Sequence, residues 1–204
     1  MIHLLFVGDG ALDSAVIPYL VENIVGTTVQ AESVSWARLH GDKVGHGYKR
    51  RVLFAIRQAR VRRLQGLVAT VDADKDQPRK RLQQLREGRQ ADRAKSSHLP
   101  VALGEAVPHL EAWLLDDPVA VREAMELTPN ESIPTVRRTK NPKDILQELL
   151  SQSARSGDRP LVVWPEIARK VSLNRCTHAE ETGFKDFAED SRVELGPLVS
   201  GKVK

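Results

Sequence analysis

The chain has 204 residues, 41 % of them hydrophobic, which suits one globular domain or one domain with an extension. Net charge is +4 with an isoelectric point near 9.3, a mild bias that admits a polyanionic partner without requiring one. Aromatic residues make up 4 %, which excludes widespread base stacking; one cysteine, Cys176, excludes an internal disulfide and fits a reducing cytoplasm; no apolar run is long enough to span a bilayer.

The opening MIHLLFVGDG has no basic n-region and turns acidic at once, so it reads as a first strand and not a signal peptide. Ile2–Val7 is the apolar run, ending in Gly8-Asp9-Gly10. Asp13 or Ser14 is placed to cap a helix over Ala15–Val25, with Val16, Leu20 and Ile24 at helical spacing and Pro18 in the first turn. Val29–Leu39 reads as a strand with a frayed end, and 41–47 as a Gly- and His-containing loop. Tyr48–Leu64 reads as a strongly basic helix with Val52, Ile56 and Ala59 inward. Gly66–Asp76, GLVATVDADKD, is a buried strand that breaks into Asp72, Asp74 and Asp76. A basic helix near Pro78–Lys95 and a strand around Leu99–Leu103 follow. Alternation of this kind predicts an α/β fold with a mostly parallel, helix-flanked sheet and right-handed crossovers.

After Gly104 the pattern changes. Ala106–Leu115 is apolar around Trp113, Pro118–Glu126 reads as helical, and Pro129–Pro142 as a loop carrying Arg137, Arg138 and Lys140. A helix begins at Asn141 or Asp144 and runs through Leu150; Trp164–Val171 is another, and residues after Phe187 read as a mobile tail. The expected organisation is an α/β domain over 1–117 with a helical extension over 118–204 packed on it.

In parallel sheets, strands pointing the same way bring their carboxyl-end loops together, and ligands bind at that edge. If the first and third strands are neighbours, Asp9, Asp72 and Asp74 converge. Crowded carboxylates keep ordinary pKa values only if hydrated or neutralised, and hard oxygen donors suit Mg²⁺ or Mn²⁺. The alternatives are local: Gly8-Asp9-Gly10 is a good tight turn, Asp76 a turn or cap residue, and Asp13 a cap. Glu105 follows a strand at the same edge. Glu111 lies among apolar residues and needs either a metal or a buried arginine partner; His109 reads as structural. Lys49, Arg50, Arg51 and Arg57 on one helix, Arg79, Lys80 and Arg81 on the next, and Arg137, Arg138, Lys140 and Lys143 beyond are candidate phosphate contacts, or else solvated basic faces.

Taken together, Phe6-Val7-Gly8-Asp9-Gly10, Val71-Asp72-Ala73-Asp74, Glu111-Ala112-Trp113-Leu114-Leu115-Asp116-Asp117, Asn141-Pro142-Lys143 and Gly183-Phe184-Lys185-Asp186-Phe187 resemble the TOPRIM superfamily of topoisomerases, primases and overcoming-lysogenization-defect nucleases. The narrower resemblance is to a family of small uncharacterised bacterial TOPRIM-related proteins. It implies a TOPRIM-like sheet and a Mg²⁺- or Mn²⁺-dependent phosphodiester hydrolase, nuclease-like, acting on nucleic acid. Asp9, Asp72 and Asp74 would then bind metal and act in catalysis, with Glu111 or Glu105 completing the set. Asp9 stands where the superfamily carries Glu, about 1.5 Å shorter, one carbon–carbon bond.

The same resemblance implies a role in bacterial phage defence and an ATPase partner, with self-association left open. A second expectation is a non-catalytic subunit that binds nucleic acid or an ATPase through a degenerate metal site. A third, ranked below both, is a D-x-D nucleotide-sugar transferase; a receiver-like phosphoacceptor ranks with it.

Overall fold

Ile2–Gly8 is buried along almost its whole length and forms β1, the strand on which the rest of the sheet is built. The computed structural model describes residues 1–39, 47–73, 79–94, 98–138 and 141–201. With β2 (Val29–Ser35), β3 (Gly66–Asp72) and β4 (Val101–Ala106), β1 makes a four-stranded parallel sheet in the order β2-β1-β3-β4. The register pairs Val7 with Ala69 and Asp72 with Ala106. The chain leaves β1 toward one side to make β2 and returns on the other to make β3. The carboxyl ends of β1 and β3 therefore flank the topological switch point, where open α/β sheets form their binding crevice.

Side chains alternate across the sheet. Leu4, Phe6, Val68 and Ala102 join one core with α1 (Ala11–Val25) and the helices of the second half: α4 (Glu111–Leu115), α5 (Pro118–Met125), α6 (Pro142–Gln152), α7 (Pro160–Lys170) and α8 (Phe184–Val199). Leu5, Val7, Leu67, Ala69, Val71 and Leu103 join the other core with α2 (Tyr48–Val61) and α3 (Lys80–Arg93). Short 3₁₀ turns lie at Val136–Arg138 and Leu173–Arg175. The expected inward stripe of α2, Val52, Ile56 and Ala59, is fully buried. The helices of the second half lie over one face, α7 against α1 and α8 against β4.

Several boundaries differ from the sequence expectation, each for a local reason. Helix α1 starts at Ala11, so Pro18 sits buried in its interior and not in a first turn. Strand β2 ends at Ser35 because Trp36 and Leu39 turn inward; the Trp36 Nε1–H donates to the Thr70 carbonyl at 2.7 Å. Strand β4 runs to Ala106 and takes Glu105 into the sheet.

The largest correction concerns the residues after Phe187. They form helix α8, with Phe187, Ala188, Ser191 and Leu195 buried. Trp113 stacks on Phe187 at 4.9 Å between centroids, and its Nε1–H donates to the Thr182 carbonyl at 2.7 Å. The acids of α8 look solvated in sequence but bind α3 and β4. Asp190 accepts from Arg89 and from the Leu103 amide, both at 2.7 Å, and Glu194 accepts from Arg93 at 2.6 Å. These carboxylates cap the outer edge of β4, where a further strand would otherwise pair.

Candidate functional site

The adjacency of β1 and β3 brings Asp9 and Asp72 to one spot. Asp9 follows β1, exposed at the rim, and its Oδ2 accepts the Asp72 amide at 3.3 Å. Asp72 closes β3. Its Oδ1 accepts the Leu110 amide at 3.1 Å, and its Oδ2 lies 3.4 Å from His109 Nδ1. That bond draws the start of α4 onto the sheet end and brings Glu111, 5 % exposed, into the group. The arginine salt bridge that the sequence offered Glu111 does not occur among the described residues.

Asp13 joins them. It was expected as a helix cap, yet it lies inside α1 and reaches back to accept the Asp9 amide at 2.5 Å. An acid at the third helical position commonly reaches back in this way. Gly8 makes the approach feasible, since a Cβ there would stand 2.6 Å from Asp13 Cβ. The signal available in sequence was the i, i+4 spacing of Asp9 and Asp13 across a helix start.

The electrostatics follow from this crowding. Burial, then the charges of Asp13, Asp9 and Glu111, push the Asp72 carboxyl up to about 7. Burial, with the charges of Asp9 and Glu111, pushes Asp13 up to about 6. Burial and the nearby Asp9 also raise the Tyr48 hydroxyl. Such perturbed carboxyls gathered at a switch point mark a functional-site candidate. Their donors are hard oxygens, the chemistry that Mg²⁺ and Mn²⁺ take. Among the described residues no three of His, Cys, Asp and Glu are arranged to hold a metal ion. Asp74, the second acid of the D-x-D, lies outside the described residues, as do Asp76 and Lys140.

Glu105 stands apart. It pairs with Val71 across the sheet, whereas Asp72 pairs with Ala106, so Glu105 faces the α2–α3 side and Asp72 the α1–α4 side. It is 3 % exposed. Burial raises its pKa, against the amides of Leu82 and Arg79 and the charges of Arg79 and Arg81. It therefore anchors the first turn of α3 from behind the acid group.

The basic residues divide into two sets. Helices α2 and α3 run antiparallel to the strands, so their amino ends lie at the same sheet edge as the acids, and neither has an acid in its first turn. Their positive dipole ends add to the local charge. Arg50, Arg57, Lys80 and Lys143 are exposed. Lys49 pairs with Glu87 at 3.4 Å, Arg79 with Asp186 at 3.8 Å and Arg137 with Glu181 at 4.0 Å, all at exposed positions. Arg60, Arg89 and Arg93 are committed to Asp92, Asp190 and Glu194 inside the fold. Arg51 and Arg81 turn inward over the Tyr48 ring, 5.3 and 5.6 Å from its centre. The side chain of Arg138 is outside the described set.

No helix among the described residues is long and apolar enough to cross a membrane. Comparison with family models, with curated proteins and with solved structures finds no match for this chain, so the site is defined by its own geometry.

Proposed function

We propose that this protein is a Mg²⁺- or Mn²⁺-dependent phosphodiester hydrolase acting on nucleic acid, with a TOPRIM-like arrangement of its acids. The observation that carries the reading is the convergence of Asp9, Asp13, Asp72 and Glu111 at the switch point, beside two basic helix ends free of first-turn acids. The raised carboxyls of Asp13 and Asp72 support a cation there, since crowded acids without a counter-charge hold protons instead.

Asp72 and Asp74, with Glu111 or Asp13 completing the set, would hold the metal. When bound, it supplies Lewis-acid stabilisation of the charge that develops on phosphate oxygens. The chain's own groups do the rest. Arg50, Arg57 and Lys80 bind the backbone phosphates, which neutralises the substrate's approach to an acidic centre. Asp9, exposed at the rim, orients the attacking water and takes its proton. The water oxygen bonds to phosphorus, the bond from phosphorus to the leaving ester oxygen breaks, and that oxygen is protonated from solvent. Activity on plasmid and single-stranded DNA with Mg²⁺ or Mn²⁺, compared between wild type and Asp72→Ala, tests this. Loss in the variant supports it; equal activity in both, or none in either, contradicts it.

A second reading is a non-catalytic subunit that binds nucleic acid or an ATPase through the same basic helices. It is favoured by the short Asp9 and by the described acids not closing a three-ligand metal site. Salt-dependent nucleic-acid binding without metal-dependent cleavage distinguishes it. A role in bacterial phage defence is common to both readings.

A further inference from the structure

Behind the acid group lies a layer of cationic side chains that the sequence assigned to phosphate binding. Arg81, in the first turn of α3, is half-buried and donates from Nη1 to the Asp72 carbonyl at 3.1 Å. Its guanidinium rests over the Tyr48 ring at 5.6 Å, with Arg51 over the same ring. Tyr48 is itself held in place. Its amide donates to Gln84 Oε1 at 3.0 Å, and its ring meets Trp36 edge-on at 5.2 Å. Trp36 in turn donates to the Thr70 carbonyl on β3. The charge of Arg81 also acts on buried Glu105, lowering its pKa against burial. Arg81 is thus fixed by groups from β3 and α2 at once, within the field of the Glu105 carboxylate on β4.

We propose that Arg81 is a positioning residue. Through the Asp72 carbonyl it holds the last residue of β3, so that the Asp72 carboxylate stays aimed at Asp9, Asp13 and Glu111 on the opposite face. The proposal rests on reading that group as a metal centre, and its sign separates it from simple electrostatics. Removing a cation near carboxylates strengthens their attraction for a divalent ion. Removing the contact that orients a ligand weakens binding, typically by about tenfold or more.

The test uses the full chain with Arg81→Gln, and with Arg86→Gln as an equal loss of charge from the exposed face of α3. Mn²⁺ binding is followed by electron paramagnetic resonance of the free ion. Amide exchange of Asp72 and Ala73 is followed without metal; the Ala73 amide donates to the Ala106 carbonyl at 2.8 Å, so its protection reports the order of the β3 end. The expected result for Arg81→Gln is Mn²⁺ binding weaker by about tenfold. Exchange should be faster at Asp72 and Ala73 and unchanged in β1, with Arg86→Gln like wild type in both measurements. Unchanged or tighter Mn²⁺ binding overturns the proposal, as does unchanged exchange at Asp72 and Ala73, or exchange raised throughout the chain. If wild type binds no Mn²⁺, the metal reading fails, and the exchange pattern alone then decides whether Arg81 positions Asp72.

Discussion

Asp72 accepts the amide of Leu110 at 3.1 Å, and this one bond fastens the end of β3 to the residue before α4. It sets Glu111 beside the sheet end and leaves the Asp72 carboxylate among Asp9, Asp13 and Glu111. The group holds more negative charge than its surroundings stabilise.

A pH dependence follows. The folded carboxyls of Asp72 and Asp13 lie at about 7 and about 6, above the ordinary value of 3.8. Between these limits the folded chain binds more protons than the unfolded one, so stability from these groups is full below 3.8 and is lost as pH rises through 6 and then 7. Metal-free protein should show a falling thermal midpoint from acid to pH 8. Asp72→Asn should raise that midpoint at pH 8 and flatten the slope. Added Mg²⁺ should stabilise wild type at pH 8 more than at pH 5, because bound carboxylates must be deprotonated. Differential scanning fluorimetry across pH, with and without Mg²⁺, reads all three.

The edge of β4 offers a stability test. Asp190 serves both Arg89 and the Leu103 amide, and Arg89 is 14 % exposed. Asp190→Ala leaves the Leu103 amide unpaired and takes the nearer carboxylate from Arg89, which keeps the Val101 carbonyl at 2.9 Å and Glu194 at 3.7 Å, at a cost of about 1–3 kcal/mol. Arg62→Ala breaks the exposed pair with Glu32 and should cost at most about 1 kcal/mol. Urea denaturation of both variants measures the contrast.

Gly88 should reverse the usual helix rule. Ala normally stabilises a mid-helix Gly position by about 1 kcal/mol. Here an added Cβ would stand 2.3 Å from Val52 Cγ1 and 2.7 Å from the Lys49 carbonyl oxygen, where α2 and α3 cross. Gly88→Ala should therefore destabilise by about 1–3 kcal/mol. Chemical denaturation with an unchanged m-value is the expected form; a stabilised variant would contradict the close crossing.

The division among the arginines can be read in salt dependence. Arg57→Gln should weaken nucleic-acid binding and lower the salt slope by about 1, with stability unchanged. Arg60 donates to both Asp92 oxygens at 2.6 and 2.7 Å, so Arg60→Gln should lower stability and leave the slope alone. Fluorescence anisotropy over a salt series, paired with thermal melts, separates the two.

Much of the fold was legible because apolar runs and turn residues are local signals. The alternation up to β4 marked a parallel sheet, and Val52, Ile56 and Ala59 named the buried side of α2. Partnering across the chain was not legible. Asp190 and Glu194 fell in what read as a mobile tail because Arg89 and Arg93 lie some hundred residues earlier. Glu105 looked like a neighbour of Asp72, but the strand reached three residues further than its apolar run, and alternation put it on the other face. Asp13 read as a cap because its partner is a backbone amide and not a charge. In the candidate site, Asp9, Asp72 and Glu111 were named from sequence; the company of Asp13, His109, Tyr48 and inward-facing Arg81 came only from packing.

The proposed metal-dependent hydrolytic centre stands or falls with Asp72. The most direct measurement is cleavage of end-labelled DNA and RNA by wild type and Asp72→Asn, each with Mg²⁺, Mn²⁺ or EDTA, after both are shown to be folded. Wild type should cleave, EDTA should abolish the cleavage, and Asp72→Asn should lack it at every metal concentration. Metal-dependent cleavage retained in Asp72→Asn, or none by wild type on any substrate, would contradict the proposed centre.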